Sequence, residues 1–370
     1  MNRLHHLDPH LVRALVHDII TVAQRGWVPL DLQHVLGPAA SAVLEKAAPQ
    51  IPARVGIGKI RQSWLSYRPT EFELSLASTI KQRTVTAWMD KLYRLPFLRD
   101  AEVISPAEPQ FTDPKQKKIH EKIQGLLAKA ESTQFEDEAD ALIAKAQNLR
   151  QHYRIDQVLE ELENSADQVI ALRVRISAPW VKHQMSLLSS VAYANGGTAV
   201  LLSDFGICTV MATRDDAEHI IDLFYSLNRQ RAWFMKNSEG AALAAKEGQT
   251  ASYRRSFMLA YAGKIRELLH DANVAAAQEH HGVTRDGVGD AASCDAAERR
   301  AEIASRALPA LARRQTNAED ALHDLFPNLS SMNLSMNHMR GIIDGVDAAE
   351  RSHLGGDKSG ISPGQNQLAS

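Results

Sequence analysis

Fifteen histidines and two cysteines carry the metal-ligating and nucleophilic chemistry of this 370-residue chain, and their spacing limits what they can do. A structural or catalytic zinc site needs ligands that converge tetrahedrally, which a chain supplies with HExxH on a helix or with paired Cys/His spacings. Neither pattern occurs. The densest cluster, His5, His6 and His10 with Asp8, straddles the start of the first predicted helix and has no frame to fix it. It reads as surface histidine, and no metal site is expected. His280 and His281 fall at a predicted helix end, where an imidazolium answers the helix dipole. Cys208 lies in a short apolar run and reads as a small buried hydrophobe. There is no GxSxG elbow, and Asp204 falls in a turn. An enzyme hidden in the chain, hydrolase-like or a degenerate hydrolase, would draw on His183 beside Trp180, with Asp204 and Cys208. Nothing in their order along the chain groups them, so no catalytic residue is assigned.

Phosphate chemistry is equally unmarked. Gly56-Ile57-Gly58-Lys59 and Asn195-Gly196-Gly197-Thr198 lack the length and closing Lys-Ser/Thr of a P-loop and the third glycine of a dinucleotide fingerprint. Both read as turns, and no cofactor is expected. Basic residues offer more. Lys115, Lys117, Lys118, Lys122 and Lys129 crowd one predicted helix; Arg229, Arg231 and Lys236 end a second, and Arg254, Arg255, Lys264 and Arg266 line a third. Residues 115–154 hold eight basic against six acidic residues, which a solvated face explains as well as a nucleic-acid contact does. Nucleic-acid binding needs cations that converge on one surface. The residues that would supply them are Lys118, Lys122, Arg254 and Arg255. Tyr253 and Phe257 could stack on bases, although their helical spacing points them at the core.

The element that organises the chain is residues 115–156. Ile119, Ile123, Leu126, Leu127 and Ala130 recur at helical spacing, as do Ala139, Leu142, Ile143, Ala146, Leu149 and Tyr153. Thr133 and Glu136 have the spacing of a capping box between them. Asp137, Glu138 and Asp140 complement the positive start of the second helix, and Arg150, His152 and Arg154 its end. A connection this short predicts an antiparallel helical hairpin. This stretch resembles the family catalogued as domain of unknown function 2786, whose pattern is carried here by Leu126, Leu127, Ala130, Glu131, Ser132, Glu138, Ala139, Ala146, Leu149 and Tyr153. Residues 180–266 are similar to the region that follows the hairpin in such proteins. The resemblance implies no activity, ligand or catalytic residue.

Around the hairpin the pattern predicts an α+β, predominantly α-helical chain. Residues 1–99 form an N-terminal helical domain: Asp8-Pro9 opens a helix, Leu30–Leu36 and Ala39–Ala48 follow, and Thr70 caps one long helix that runs towards Arg94. Residues 100–114 are a linker. Residues 165–281 form a small β-α-β-β-α domain with a long helical extension. Its strands are Val169–Ile176, Thr198–Leu202 and Ile207–Ala212, with the sheet covered by helices on one face. Residues 282–354 hold C-terminal helices, and residues 355–370 form a disordered tail.

The bulk numbers suit a soluble globular protein, at 44% hydrophobic and 23% charged residues. A net charge of −2 removes the whole-molecule electrostatic case for nucleic acid or an anionic membrane. Two cysteines are too few for a disulfide framework, no apolar run reaches the roughly 20 residues of a membrane span, and the N-terminus does not read as a signal peptide. The expectation is a cytoplasmic binding or scaffold protein of unknown oligomeric state, with nucleic acid or another protein as partner.

Overall fold

A computed structural model of the chain describes residues 4–52, 59–98, 169–282 and 312–352, with four isolated positions, Lys118, Lys122, Leu126 and Lys145. Those four are helical. The rest of the hairpin 115–156, the linker 100–114, residues 283–311 of the C-terminal region and the tail lie outside the described residues. The fold is α+β and predominantly helical, as the periodicity requires.

The N-terminal part is built from α1 (Pro9–Gln24), α2 (Pro29–Leu36), α3 (Ser41–Ala47), α4 (Lys59–Leu65), α5 (Glu71–Ser75) and α6 (Gln82–Tyr93). Asp8 caps α1 by accepting from the His10 amide at 2.8 Å, with Pro9 at the first helical position. Three buried tryptophans pin the helices together, because a buried indole N–H must find an acceptor. Trp27 donates to the Pro96 carbonyl, Trp64 to Trp27, and Trp88 to Leu36, all at 2.9–3.0 Å.

One expectation fails here. The single helix from Thr70 to Arg94 is broken: α5 passes into a 3-10 turn over Leu76–Thr79, Ile80 is extended, and α6 restarts at Gln82. The hydroxyls of Ser75, Ser78 and Thr79 each donate to the carbonyl three residues back. That local alternative competes with the helical ladder. Helix α4 buries Ile60 and Trp64; the predicted turn at residues 56–58 just before it lies outside the described residues.

The second part comprises β1 (Ile170–Arg175), α7 (Val181–Ala194), β2 (Thr198–Leu202), β3 (Ile207–Ala212), α8 (Arg214–Asn237), α9 (Glu239–Lys246), α10 (Thr250–Gly282), α11 (312–325) and α12 (Met339–Glu350). Helix α9 is capped by Ser238, whose hydroxyl oxygen accepts from the Ala241 amide at 3.3 Å. The strands form one antiparallel sheet in the order β1-β3-β2, with Val174 opposite Cys208 and Leu201 opposite Cys208 on the other side.

The sheet is covered on both faces, not one. On the first face Ile170, Val174, Cys208, Val210 and Ala212 join the core of α7, α8, α10 and α12. On the second, Ala171, Met211 and Val200 pack against Ala318 and Leu322 of α11, while Ile207 and Leu202 join the N-terminal core. Alternation in β1 therefore does not mean a wet face. Arg173 and Arg175 point into the second interface and meet the fully buried Asp31 of α2 at 3.0 and 2.9 Å. Arg173 also donates to the Gly26 carbonyl at 2.8 Å. A second buried pair, Arg314 of α11 with Asp216 of α8 at 2.9 Å, fastens α11. Helix α12 closes the molecule against α10. A Cβ on Gly341 or Gly345 would meet the Tyr253 or Phe257 carbonyl at 2.6 and 2.5 Å, so only glycine allows this approach.

Candidate functional site

Helix α8 carries a stripe at helical spacing, Ile220, Phe224, Leu227, Arg231 and Phe234, all of it buried. An arginine in that register is the anomaly. Arg231 is 4% exposed, and its Nε and Nη1 have no hydrogen-bond partner. Burial lowers its pKa to about 10, opposed by Tyr261. An unpaired guanidinium withdrawn from water is costly, so this position calls for an explanation.

Its charge acts on His183, in the first turn of α7. Trp180, just before the helix, lies in the left-handed region at φ +69 and makes no side-chain cap. A non-glycine residue held there costs about 1–3 kcal/mol and persists only where its neighbours enforce it. Those neighbours are identifiable. The Trp180 carbonyl accepts from the amides of His183 and Gln184 at 2.9 and 3.0 Å. Gln184 Nε2 donates to the carbonyls of Ser177 and Pro179, both at 2.9 Å. With its amide nitrogen committed, Gln184 offers Oε1 to Asn228 Nδ2 at 3.2 Å, which ties α8 to α7 one turn before Arg231. Asn228 Oδ1 is consequently left as a buried acceptor without a donor.

His183, the third residue of α7, is buried with its ring edge-on to the Trp180 indole at 5.6 Å. Its pKa is lowered by burial first, then by the charges of Arg255 and Arg231. Arg255 and its neighbour Arg254 are exposed on α10. Among the described residues Arg255 Nε donates to the Ala251 carbonyl, at 3.3 Å. Among the described residues no carboxylate pairs with Arg231, Arg254 or Arg255, whereas Arg173, Arg175, Arg314 and Arg340 all have one. The head of α7 is thus a place of unspent positive charge on a chain whose net charge is slightly negative.

The residues expected from sequence divide as follows. Arg254 and Arg255 are both exposed on α10, and Arg255 is the one of the two whose charge acts on His183. Lys118 and Lys122 are helical and exposed, and no described contact joins them to the arginines. Tyr253 and Phe257 are fully buried and belong to the core. The enzyme candidates do not converge. Cys208 is enclosed, its thiol donating to Met185 Sδ at 3.4 Å and pushed up to about 12 by burial. Asp204 sits exposed in its turn, accepting from Ser203 at 3.3 Å, and His183 touches neither. Among the described residues no group of three or more His, Cys, Asp or Glu could hold a metal ion, and His6, from the N-terminal cluster, bonds the Ile80 carbonyl at 3.0 Å.

Lys118, Lys122 and Leu126 are helical at a spacing of four. Residues 118–157 match the family model described as Protein of unknown function (DUF2786). The match ends before β1, so it assigns nothing at the head of α7. No curated protein and no solved structure matches the chain.

Two clefts of about 470 and 490 Å³ flank the outer edge of β2, sharing Ser189, Ala199 and Met332 in their walls. Their one charged arginine, Arg266, is already stacked on the Tyr193 ring at 3.7 Å. They gather no unspent polar chemistry comparable to Arg231. No helix among the described residues is long and apolar enough to cross a membrane.

Proposed function

We propose that the protein is a cytoplasmic binding protein whose ligand is a nucleic acid, gripped through Arg254 and Arg255 on α10, with Lys118 and Lys122 adding phosphate contacts from the hairpin. The observation that carries this reading is the exposed Arg254–Arg255 pair, free of carboxylates among the described residues and backed by Arg231 and His183. Guanidiniums left unneutralised on a surface attract phosphate more strongly than paired ones, and release of condensed counterions supplies the affinity. Trp180, half-buried just before α7, offers an aromatic surface of the kind on which bases stack.

The test is a mobility-shift titration with a single-stranded oligonucleotide at two salt concentrations. Four phosphate contacts predict that affinity falls roughly fiftyfold between 50 and 200 mM salt. The Arg254→Gln/Arg255→Gln double variant should weaken binding and flatten that slope. Absence of salt-sensitive binding would sink the proposal.

A further inference from the structure

We propose that the groove along the outer edge of β2 takes an extended, uncharged apolar segment of a partner protein, which pairs with β2 as a fourth strand of the sheet. No residue of the nucleic-acid reading takes part, so each can fail without the other.

The main chain of β2 carries the inference. In an antiparallel pair only alternate residues exchange hydrogen bonds with the neighbouring strand, so on an edge strand the amide and carbonyl of every second residue point away from the sheet. Strand β2 is such an edge, paired with β3 alone. Among the described residues, the one hydrogen bond that the main chain of Thr198–Leu202 makes outside that ladder is the Leu202 carbonyl accepting from the Phe205 amide at 3.1 Å. Edges are ordinarily blunted by lysine, proline or a bulge. The β2 sequence TAVLL has neither residue, and its register with β3 runs unbroken. All five of its residues are half-buried, so the edge reaches solvent.

The clefts of about 470 and 490 Å³ adjoin along this edge. One includes Gly197, Thr198 and Ala199, the other Ala199 to Leu202, and Met332 stands in the walls of both. Exposed apolar side chains gather there: Phe97, Tyr193, Leu329, Met332 and Met336 are each 40–57% exposed. Such a patch marks an interaction surface. Strand addition draws on both components, with main-chain bonds holding the added segment and side pockets selecting it.

Charge along the groove decides the occupant. The half beside Ala199–Leu202 holds no charged residue, so a charge entering it would lose water without gaining a partner. The half beside Thr198 holds one residue of each sign, Arg266 and Glu319, and accepts a polar flank. Five strand residues span roughly 17 Å, the length of a short extended peptide. A nucleic-acid strand would find no cation to meet its phosphates in the uncharged half. A second copy is also a poor fit, because an isologous contact needs both edges to meet. Each β2 edge lies between Met185 and Ser189 of its own α7 and Leu322 and Leu325 of its own α11. That recess admits one strand and keeps two folded sheets apart.

The experiment pans a displayed library of random heptapeptides against the full chain, then titrates the enriched sequences as end-blocked synthetic peptides by fluorescence anisotropy. Enriched sequences should share an uncharged apolar run. Methylating the main-chain nitrogens of one such peptide in turn should weaken binding about tenfold at alternate positions and little between them. Recognition of side chains alone gives no such period of two. Met332→Glu, an exposed change in a stretch without regular structure, puts a charge in both clefts and should weaken the peptide at least about tenfold. The Arg254→Gln/Arg255→Gln variant should bind it as the parent does. The proposal is overturned if no sequence is enriched, if the enriched sequences are charged throughout, or if methylation shows no alternation. It is equally overturned if Met332→Glu leaves affinity unchanged or the arginine variant lowers it. Sedimentation revealing a dimer that Met332→Glu dissociates would give the edge to a second copy, and displacement of the peptide by an oligonucleotide would give it to nucleic acid; either result overturns the proposal.

Discussion

Histidines in this protein report where the fold has placed its charges. His183 and His34 both have pKa values below the usual imidazole range, and in both burial is the largest cause. Arg255 and Arg231 add to it at His183. At His34 Arg175 adds to it, opposed by Asp31 and by backbone hydrogen bonds. A base whose folded pKa is depressed binds protons more readily in the unfolded chain, so its contribution is present above the unfolded value, about 6.5, and is lost as pH falls below it. The midpoint of urea unfolding should therefore be lower at pH 5.5 than at pH 7.5. His183→Asn and His34→Gln should each shrink that difference. Asp18, whose carboxyl is raised by burial, works in the opposite sense at lower pH, so the variants isolate the histidines' share. A midpoint that rises on acidification, unchanged by either substitution, would contradict this account.

Among elements, the joint between α2 and β1 is the most consequential. Asp31 has no exposure and answers two arginines from alternate positions of one strand. Replacing one partner of a buried pair leaves the other charged and unsolvated. Asp31→Asn should cost about 3–5 kcal/mol in urea denaturation, with the N-terminal helices releasing from the sheet. A loss below about 1 kcal/mol would show that water reaches Arg173. The sequence made some of this legible and hid the rest. Alternation of Arg173 and Arg175 with apolar residues marked the strand correctly. It could not tell water from a carboxylate 142 residues away in the chain, since periodicity gives the face and not what covers it. Helix α1, strands β2 and β3, and α8 were readable because a cap or a turn marked their ends. The break after Ser75 was hidden because its cause is three hydroxyls whose bonds depend on rotamer. Arg231 was visible as a basic residue near a helix end; its place in the 220-224-227-231-234 stripe is the signal that identifies it as buried.

At the scale of the whole molecule, the three-stranded sheet is the middle layer, with helices on one side and α11 plus the N-terminal helices on the other. Both buried ion pairs lie where parts distant in sequence meet: Asp31 with the arginines of β1, and Arg314 with Asp216. Neither joint draws on a hydrophobic pattern that could be read locally. This explains why the sequence gives the elements better than their assembly, and why a sheet expected to have one open face has none.

The stretch 327–338, which joins α11 to α12, has no regular structure, and residues 327–333 are exposed. The amides of Asn337 and His338 both donate to Ser256 Oγ at 3.0 Å, and beyond them Tyr253 reaches Asp344 and Tyr261 reaches Ser352. Such a tether is expendable once the helix it delivers is seated. A protease that severs it near Asn328 should yield two fragments that co-elute in native buffer and part only in denaturant. The same cut marks a place where the gene could be divided and the two halves, expressed separately, would find each other and rebuild the whole.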